Sequence, residues 1–277
     1  MHPILIDFGF FQLPTYGLLM VTALVSAMLL AIRQGKVEGL DSGRLLDFST
    51  WLIVVALVGA KVLMILTDWR SYWENPGEIV SLATLRAGGV FYGGFISAVI
   101  FAWWYVRVYG LPLWKVFDAY APGIALGLGI GRLGCFAAGC DYGKPTHSFL
   151  GVVFTSPIAN LVSGTPLGVR IHPTQLYESL TCVAIFALLM RLYRRKTFDG
   201  QIFASYLGMY AVARFGIEFL RGDPDRGFVF GGALSTSQFI AILAIGISAI
   251  LYWRLRGQRA EPAAADVALP SAKRARG

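Results

Sequence analysis

The 277-residue chain is 56% hydrophobic and 14% charged, with a positive mean hydropathy. A soluble domain of this length could not hide so much apolar surface, so helices that cross a lipid bilayer are expected. The net charge of +8 invites a nucleic-acid reading, which the placement of the basic residues argues against.

In chain order, the apolar runs predict seven spans at about 14–32, 48–67, 90–108, 116–137, 174–191, 202–220 and 235–253. Each can satisfy its backbone internally, as a lipid-embedded segment must. No basic stretch precedes the first run, so it is expected to stay in place and not to be removed as a signal peptide. Basic residues follow the first span (Arg33, Lys36, Arg44), the third (Arg107, Lys115), the fifth (Arg191, Arg194, Arg195, Lys196) and the last (Arg254, Arg256, Arg259, Lys273, Arg274, Arg276). Those are fifteen, against six on the alternate side: Arg70, Arg86, Lys144, Arg170, Arg221 and Arg226. The positive-inside rule then predicts an outside N-terminus and a cytoplasmic C-terminus. The basic excess reads as topology and contact with an anionic leaflet. Trp51, Trp69, Trp73, Trp103, Trp104 and Trp253 fall near predicted span ends, where indoles favour the interface.

The organisation expected is one membrane domain, residues 1–256, with no internal repeat. Residues 71–89 join the second and third spans, and part of that segment is expected along the interface. Residues 143–173, rich in Gly, Pro and β-branched types, predict a small strand-containing arm or head on the outer face, about 141–172. The Ala/Pro-rich basic stretch 257–277 predicts a disordered cytoplasmic tail. The fold class is therefore all-α and polytopic.

Ionisable residues inside spans are costly and tend to mark function. Six stand out: Lys61, Asp118, Arg132, Glu178, Arg214 and Glu218. For Lys61 and Asp118 a buried salt bridge that locks helices is the favoured reading. Arg132, Glu178, Arg214 and Glu218 are all expected in the outer half of the membrane. Two arginines against few carboxylates leave spare positive charge there, and a guanidinium's planar fork suits a phosphate. A phospholipid head group is the natural anion at that depth. Tyr210, Arg214 and Glu218 share one face of the sixth span by their i, i+4, i+8 spacing. Glycines in "AGGVFYGGF" (87–95) and "APGIALGLGIGRLG" (121–134) suit close helix packing and could also leave room for a lipid. In "RIHPTQLYES" (170–179), Pro173 suits a first helical turn. His172 before it is either a satisfied hydrogen-bonder or a catalytic base.

Cys135 and Cys140 flank this region. On a regular helix the C-x4-C spacing turns them about 140° apart. A disulfide would need the helix to end between them, which Gly139 allows. Three readings stay open: small packed residues, a disulfide, and a nucleophile or metal site with His147 or His172. Cys182 reads as packing.

Tyr16-Gly17, "GGVFYGGF", "APGIALGLGIGRLG…F…G…YGKPT", "HPTQLYES" and "Y…RF…EFLRGDPD" together resemble the prolipoprotein diacylglyceryl transferase family, over about residues 14–253. The resemblance implies transfer of a diacylglyceryl group from phosphatidylglycerol to the lipobox cysteine of a preprolipoprotein signal peptide, with glycerol 1-phosphate leaving. It implies action at the outer leaflet of the bacterial inner membrane, and no metal or soluble cofactor. Arg132 matches the signature arginine that binds the lipid phosphate. Arg214 and Glu218 match the sixth-span arginine and glutamate, and Tyr16 and Tyr210 match tyrosines lining the site. Gly93, Gly94, Gly143 and Glu178 fall in the same motifs and are expected on the substrate side. The chain departs from the family pattern where Cys135 and Ala138 replace asparagines, Cys140 replaces a glutamate, and Tyr92 replaces the helix-three histidine. The thiol base is thereby left open among Tyr92, His172 and Asp141. A related transferase with another lipid donor or acceptor is the alternative. A transporter is less favoured, because the charges gather in one half of the membrane and no matched pair of broken helices is visible.

Overall fold

The computed structural model describes residues 3–9, 12–81, 84, 88–223 and 226–257. The stretch expected to form a cytoplasmic tail lies, apart from Gly257, outside the described residues. The described chain is mostly helical. Its long helices are α1 (Thr15–Val37), α2 (Ser42–Thr67), α4 (Phe91–Val108), α5 (Leu113–Ala138), α7 (Thr174–Tyr193), α8 (Gln201–Glu218) and α9 (Thr236–Leu255). Two short helices, α3 (Trp69–Glu74) and α6 (Pro157–Ser163), are also described, with 3-10 turns at Pro76–Val80 and Phe230–Gly232. Among the described residues, six helices are long and apolar enough to cross a membrane: α1, α2, α4, α5, α7 and α9. The predicted sixth span coincides with α8, which is helical but less apolar. Gln201, Ser205, Arg214 and Glu218 interrupt its hydrophobic run.

Three two-stranded antiparallel ribbons accompany the helices: β1 (Ile4–Asp7) with β2 (Gln12–Pro14), β3 (Val152–Val153) with β4 (Arg170–Ile171), and β5 (Phe228–Val229) with β6 (Leu234–Ser235). The first was not expected, because "ILID" and "QLP" are too short to carry a strand period. The second lies in the segment for which a strand-containing arm was expected. Phe154 and Ile171 are fully buried there beside Tyr142, and Phe136 of α5 packs against them.

The chain divides into two compact units, Leu40–Leu113 and the remainder. In the smaller unit, Asp41 caps α2 by accepting the Arg44 N–H at 2.7 Å, which satisfies one of the orphan donors of a helix start. Helices α2 and α4 meet through small residues. A β-carbon on Gly94 would lie 2.9 Å from the Ala56 carbonyl oxygen, and one on Gly93 would strike the Gly59 carbonyl and Leu63. Close backbone approach of this kind is how apolar helices gain packing where water supplies no drive. Lys61 donates to the Thr84 carbonyl at 2.6 Å.

In the larger unit, a β-carbon on Gly123 would come within 2.6 Å of the Ala27 carbonyl, so α1 and α5 also approach closely. Near the other end of that unit's chemistry sits Asp118, fully buried on α5. Its carboxylate accepts the Gly200 and Phe203 N–H groups at 2.7 and 2.9 Å. It therefore caps the start of α8 from a neighbouring helix, where four N–H groups lack intrahelical partners. Lys196 Nζ lies 2.9 Å from the same carboxylate, 2.7 Å from Glu38 and 2.9 Å from Asp199. The locking role expected of Asp118 matches this arrangement. Pro173 departs from expectation by a single place. It precedes the helix as its N-cap, and α7 begins at Thr174.

Replacing Asp118 by Ala leaves the Gly200 and Phe203 amides without their acceptor and removes one of the three carboxylates around Lys196. Breaking a buried pair from one side typically costs about 3–5 kcal/mol. Asp118→Ala is expected to lower the melting temperature of the purified protein in detergent and its accumulation in membranes, with Asp118→Asn intermediate. A wild-type melting curve for Asp118→Ala would refute the cap.

Candidate functional site

Helix α5 stops at Ala138, and the backbone reverses through Gly139 at φ +89. A β-carbon at that position would meet Ala159 Cβ at 2.7 Å and Thr165 Oγ1 at 2.9 Å. Thr165 Oγ1 donates to the Gly139 carbonyl at 2.8 Å. The next carbonyls are held from α7: Gln175 Nε2 donates to Cys140 O at 2.6 Å, and Thr174 Oγ1 to Asp141 O at 2.7 Å. Asp141 sits at φ +58, in the left-handed region that Asp tolerates better than most residues. The strand of chain that follows is threaded between two others. Gly143 N–H donates to His172 O, Lys144 N–H to Leu220 O, and Gly222 N–H to Tyr142 O, at 2.8–3.0 Å. A side chain on Gly143 would collide with the His172 and Leu220 carbonyls.

This turn throws the Asp141 carboxylate back onto α5. Arg132 Nη1 donates to Asp141 Oδ2 at 2.8 Å, and Arg221 Nη2 to Asp141 Oδ1 at 2.6 Å. Arg221 also grips Asp223 through Nε and Nη2 at 2.8 and 2.6 Å. On its other side, Arg132 Nε lies 3.1 Å from Glu178 Oε2, and Tyr210 donates its hydroxyl to Glu178 Oε1 at 2.8 Å. The result is one continuous path: Asp223, Arg221, Asp141, Arg132, Glu178, Tyr210. One turn further along α8 is a second group. Arg214 Nη1 is 2.8 Å from Glu218 Oε2, Arg214 Nη2 donates to Ser237 at 3.2 Å, and Arg226 Nη1 stands 3.5 Å from Glu218 Oε1.

Two donor atoms in these groups are under-used. The Arg132 Nε and Arg214 Nη1 contacts with their carboxylates are too oblique to be hydrogen bonds, and both atoms are buried. Both Glu218 oxygens are likewise buried without a hydrogen bond. A buried charge-bearing donor in this condition is unusual and has capacity for a better-aligned acceptor.

The expected spare positive charge is not what the structure contains. Among the described residues, Arg132, Arg214, Arg221 and Arg226 are met by Asp141, Glu178, Glu218 and Asp223, four against four. The charge count from the sequence missed this because Asp141 and Asp223 lie in loops. Arg221, Asp223 and Arg226 sit within or just beyond the quoted "EFLRGDPD" stretch, of which the family resemblance points only to Glu218.

Other expected residues are placed as follows. The Tyr16 ring borders Gly134, and its hydroxyl lies in electrostatic range of Cys135, Cys140, Arg132 and Asp141. His172 pairs its Nδ1 with the Tyr177 hydroxyl at 3.2 Å, while its backbone fixes Gly143 and Lys144. Tyr92, Gly93 and Gly94 belong to the smaller unit, where Tyr92 is half exposed and packs edge-on against Phe91.

Burial would push the Asp141 carboxyl up. The guanidiniums of Arg132 and Arg221 outweigh it and hold the group below the usual carboxylate range. A carboxylate so stabilised is a weak base for a thiol proton. Burial pulls Arg221 down, but its bonds to Asp223 and the charge of Asp141 raise it overall.

The thiols do not behave as the helical spacing suggested. Because α5 ends between them, the sulfurs of Cys135 and Cys140 and a carboxylate oxygen of Asp141 all lie within 4.8 Å of one another. All three cysteines are free. Arg132 Nη1 is 4.0 Å from the Cys135 sulfur.

A family model described as prolipoprotein diacylglyceryl transferase matches residues 3–254. The chain belongs to that family. A phosphatidylglycerol–prolipoprotein diacylglyceryl transferase of Clostridium tetani is 35% identical over 253 residues, covering 91% of this chain and 97% of the relative. One from Finegoldia magna is 35% identical over 88% of this chain and 91% of its own length. A protein of Clostridium perfringens bearing the same name with the suffix 2 is 32% identical, covering 86% and 89%. The matched span includes every residue of both ion-pair groups.

Asp141 makes a pH-dependent contribution to stability. Its native pKa is depressed, so the contribution is present above the ordinary carboxylate range near about 4 and is lost as pH falls through the lower native value. Asp141→Asn is therefore expected to melt below wild type at pH 7, with the gap narrowing as both are acidified below pH ~4. Melting curves of the two proteins across pH check this. A gap that widens on acidification would contradict the ion-pair assignment.

Proposed function

We propose that this membrane transferase moves the diacylglyceryl group of phosphatidylglycerol onto the lipobox cysteine thiol of a preprolipoprotein, the first step of bacterial lipoprotein maturation. Membership of the family and the names of the relatives support the reaction. The observation that carries the residue assignment is the pair of part-buried guanidiniums, Arg132 and Arg214, each with a buried nitrogen that lacks a hydrogen bond.

The chemistry asks for such groups. The substrate thiol must lose its proton before it attacks carbon. The sulfur–carbon bond forms as the carbon–oxygen bond to phosphate breaks, and glycerol 1-phosphate departs with the electron pair. Negative charge grows on the phosphate oxygens, and fixed cations in a dry site stabilise it. We assign Arg132 and Arg214 to that phosphate. Glu178, braced by Tyr210, orients Arg132, and Glu218 orients Arg214. His172 is assigned as thiol base, since Asp141 is committed to two guanidiniums. Tyr16 and Gly143 are assigned to the walls that receive lipid and peptide, while Tyr92, Gly93 and Gly94 stay with the smaller unit, where both glycines pack against α2.

The reading also places the protein in the bacterial inner membrane with the arginine site toward the outer leaflet. Seven spans, including α8, run from an outside N-terminus to a cytoplasmic C-terminus. The seven-helix domain ends near residue 256, and residues 257–277 form its cytosolic tail. The basic-residue bias supports that orientation.

Purified protein, phosphatidylglycerol and a lipobox peptide are expected to give a diacylglyceryl thioether on the peptide cysteine and free glycerol phosphate. Neither product appearing would end the proposal. Arg132→Ala and Arg214→Ala are each expected to reduce transfer by about a hundredfold or more while still accumulating in the membrane. Near-normal rates in either would remove that arginine from the phosphate. For topology, alkaline phosphatase fused within 143–173 is expected to be active, and green fluorescent protein fused after Arg256 to fluoresce. The opposite pattern would invert the orientation.

A further inference from the structure

We propose that Cys135 and Cys140 form a redox modification site, closing reversibly to an intramolecular disulfide by exchange with a small-molecule disulfide. Nothing in the transfer reaction uses them, and the sequence spacing on a continuous helix would keep them apart. The structure brings them together by ending α5 at Ala138 and reversing the chain at Gly139. Their sulfurs lie within 4.8 Å of each other, a separation that side-chain rotation and a small shift of the glycine joint can close.

The two thiols differ in a useful way. Cys140 is partly exposed and its thiol points to the Cys135 carbonyl at 3.8 Å. Cys135 is buried on the helix, with the Arg132 guanidinium 4.0 Å away. Donation from the Cys135 thiol to the Cys140 sulfur lowers the Cys140 thiol below its ordinary value against the opposing effect of burial. Cys140 is thus the attacking thiol and Cys135 the resolving one.

The exchange balances without any other reactant. Cys140 thiolate attacks one sulfur of the small disulfide, whose sulfur–sulfur bond breaks, and one small thiolate leaves and takes a proton. Cys135 then gives up its proton and attacks the Cys140 sulfur of the mixed disulfide, releasing the second small thiol. The protein loses two electrons and two protons, and the small disulfide gains them as two thiols.

Two other uses of the pair fit less well. A metal ion could draw on both sulfurs and Asp141, but that carboxylate already accepts from Arg132 and Arg221 at 2.8 and 2.6 Å. A cation would enter beside two fixed guanidiniums. A structural staple is also disfavoured, because only four residues separate the cysteines. So short a loop removes little freedom from the unfolded chain.

The test uses the full-length protein in detergent, with oxidised glutathione as the probe. After treatment the protein is denatured, alkylated, digested and analysed by mass spectrometry. The expected result is a linked Cys135–Cys140 product with a two-hydrogen mass loss, Cys182 alkylated as the internal control, and recovery of both thiols with dithiothreitol. Cys135→Ser is expected to retain a glutathione adduct on Cys140 that wild type does not keep. Full alkylation of Cys135 and Cys140 after treatment would overturn the proposal. So would a stable glutathione adduct on Cys140 in wild type at the level seen in Cys135→Ser. Zinc alone shielding both thiols, with glutathione giving no linkage, would make the pair a metal site instead.

Discussion

A guanidinium cannot be set into an apolar helix bundle without anions around it. Arg132 imposes that condition on the larger unit, and much of the unit is arranged to meet it. Asp141 reaches Arg132 from the turn after α5, and Glu178 from α7. Asp141 is shared with Arg221 from the segment after α8, and Tyr210 of α8 braces Glu178. Four stretches distant in sequence therefore converge because one charge must be neutralised where water is scarce.

The turn that delivers Asp141 is gripped at its backbone carbonyls by side chains from neighbouring segments. Gly139 supplies a left-handed conformation and a surface bare enough to lie on Ala159 and Thr165. Gln175 and Thr174 hold the Cys140 and Asp141 carbonyls from α7. Gly143 then passes between the His172 and Leu220 backbones, where no side chain fits. The polar start of α7, "HPTQLYES", thus has two tasks. Gln175 and Thr174 fix the loop, and Glu178, one turn later, meets the arginine.

The long helices were legible because hydrophobic length is a property of the local chain. Six of the seven predicted spans are helices apolar enough to cross a membrane. The remaining one, α8, is a helix whose hydrophobic run is broken by Ser205, Arg214 and its polar ends Gln201 and Glu218. Arg132, Glu178, Arg214 and Glu218 were legible because charges are conspicuous in such segments. Asp141, Asp223 and Arg226 were harder to see, since a charged loop residue carries no sign of where its loop turns. The cysteine pair stays ambiguous in the sequence for a related reason. Helical spacing sets the angle between Cys135 and Cys140 only while the helix lasts, and a left-handed glycine annuls it. The N-terminal ribbon β1–β2 has strands too short to stand out against the first span.

Helix α5 is tied at two points along its length. Asp118 is bound to Lys196 and to the first amides of α8, and Arg132 is bound to Asp141 and Glu178. The two residues are 14 positions apart, about 21 Å along the axis. A piston-like slide of α5 would break charged contacts at both ends at once, and a tilt would break those at one. The helix therefore behaves as a fixed strut that holds its arginine at constant depth. Lateral parting of other elements, with α5 as the stationary reference, is the motion that leaves this bracing intact.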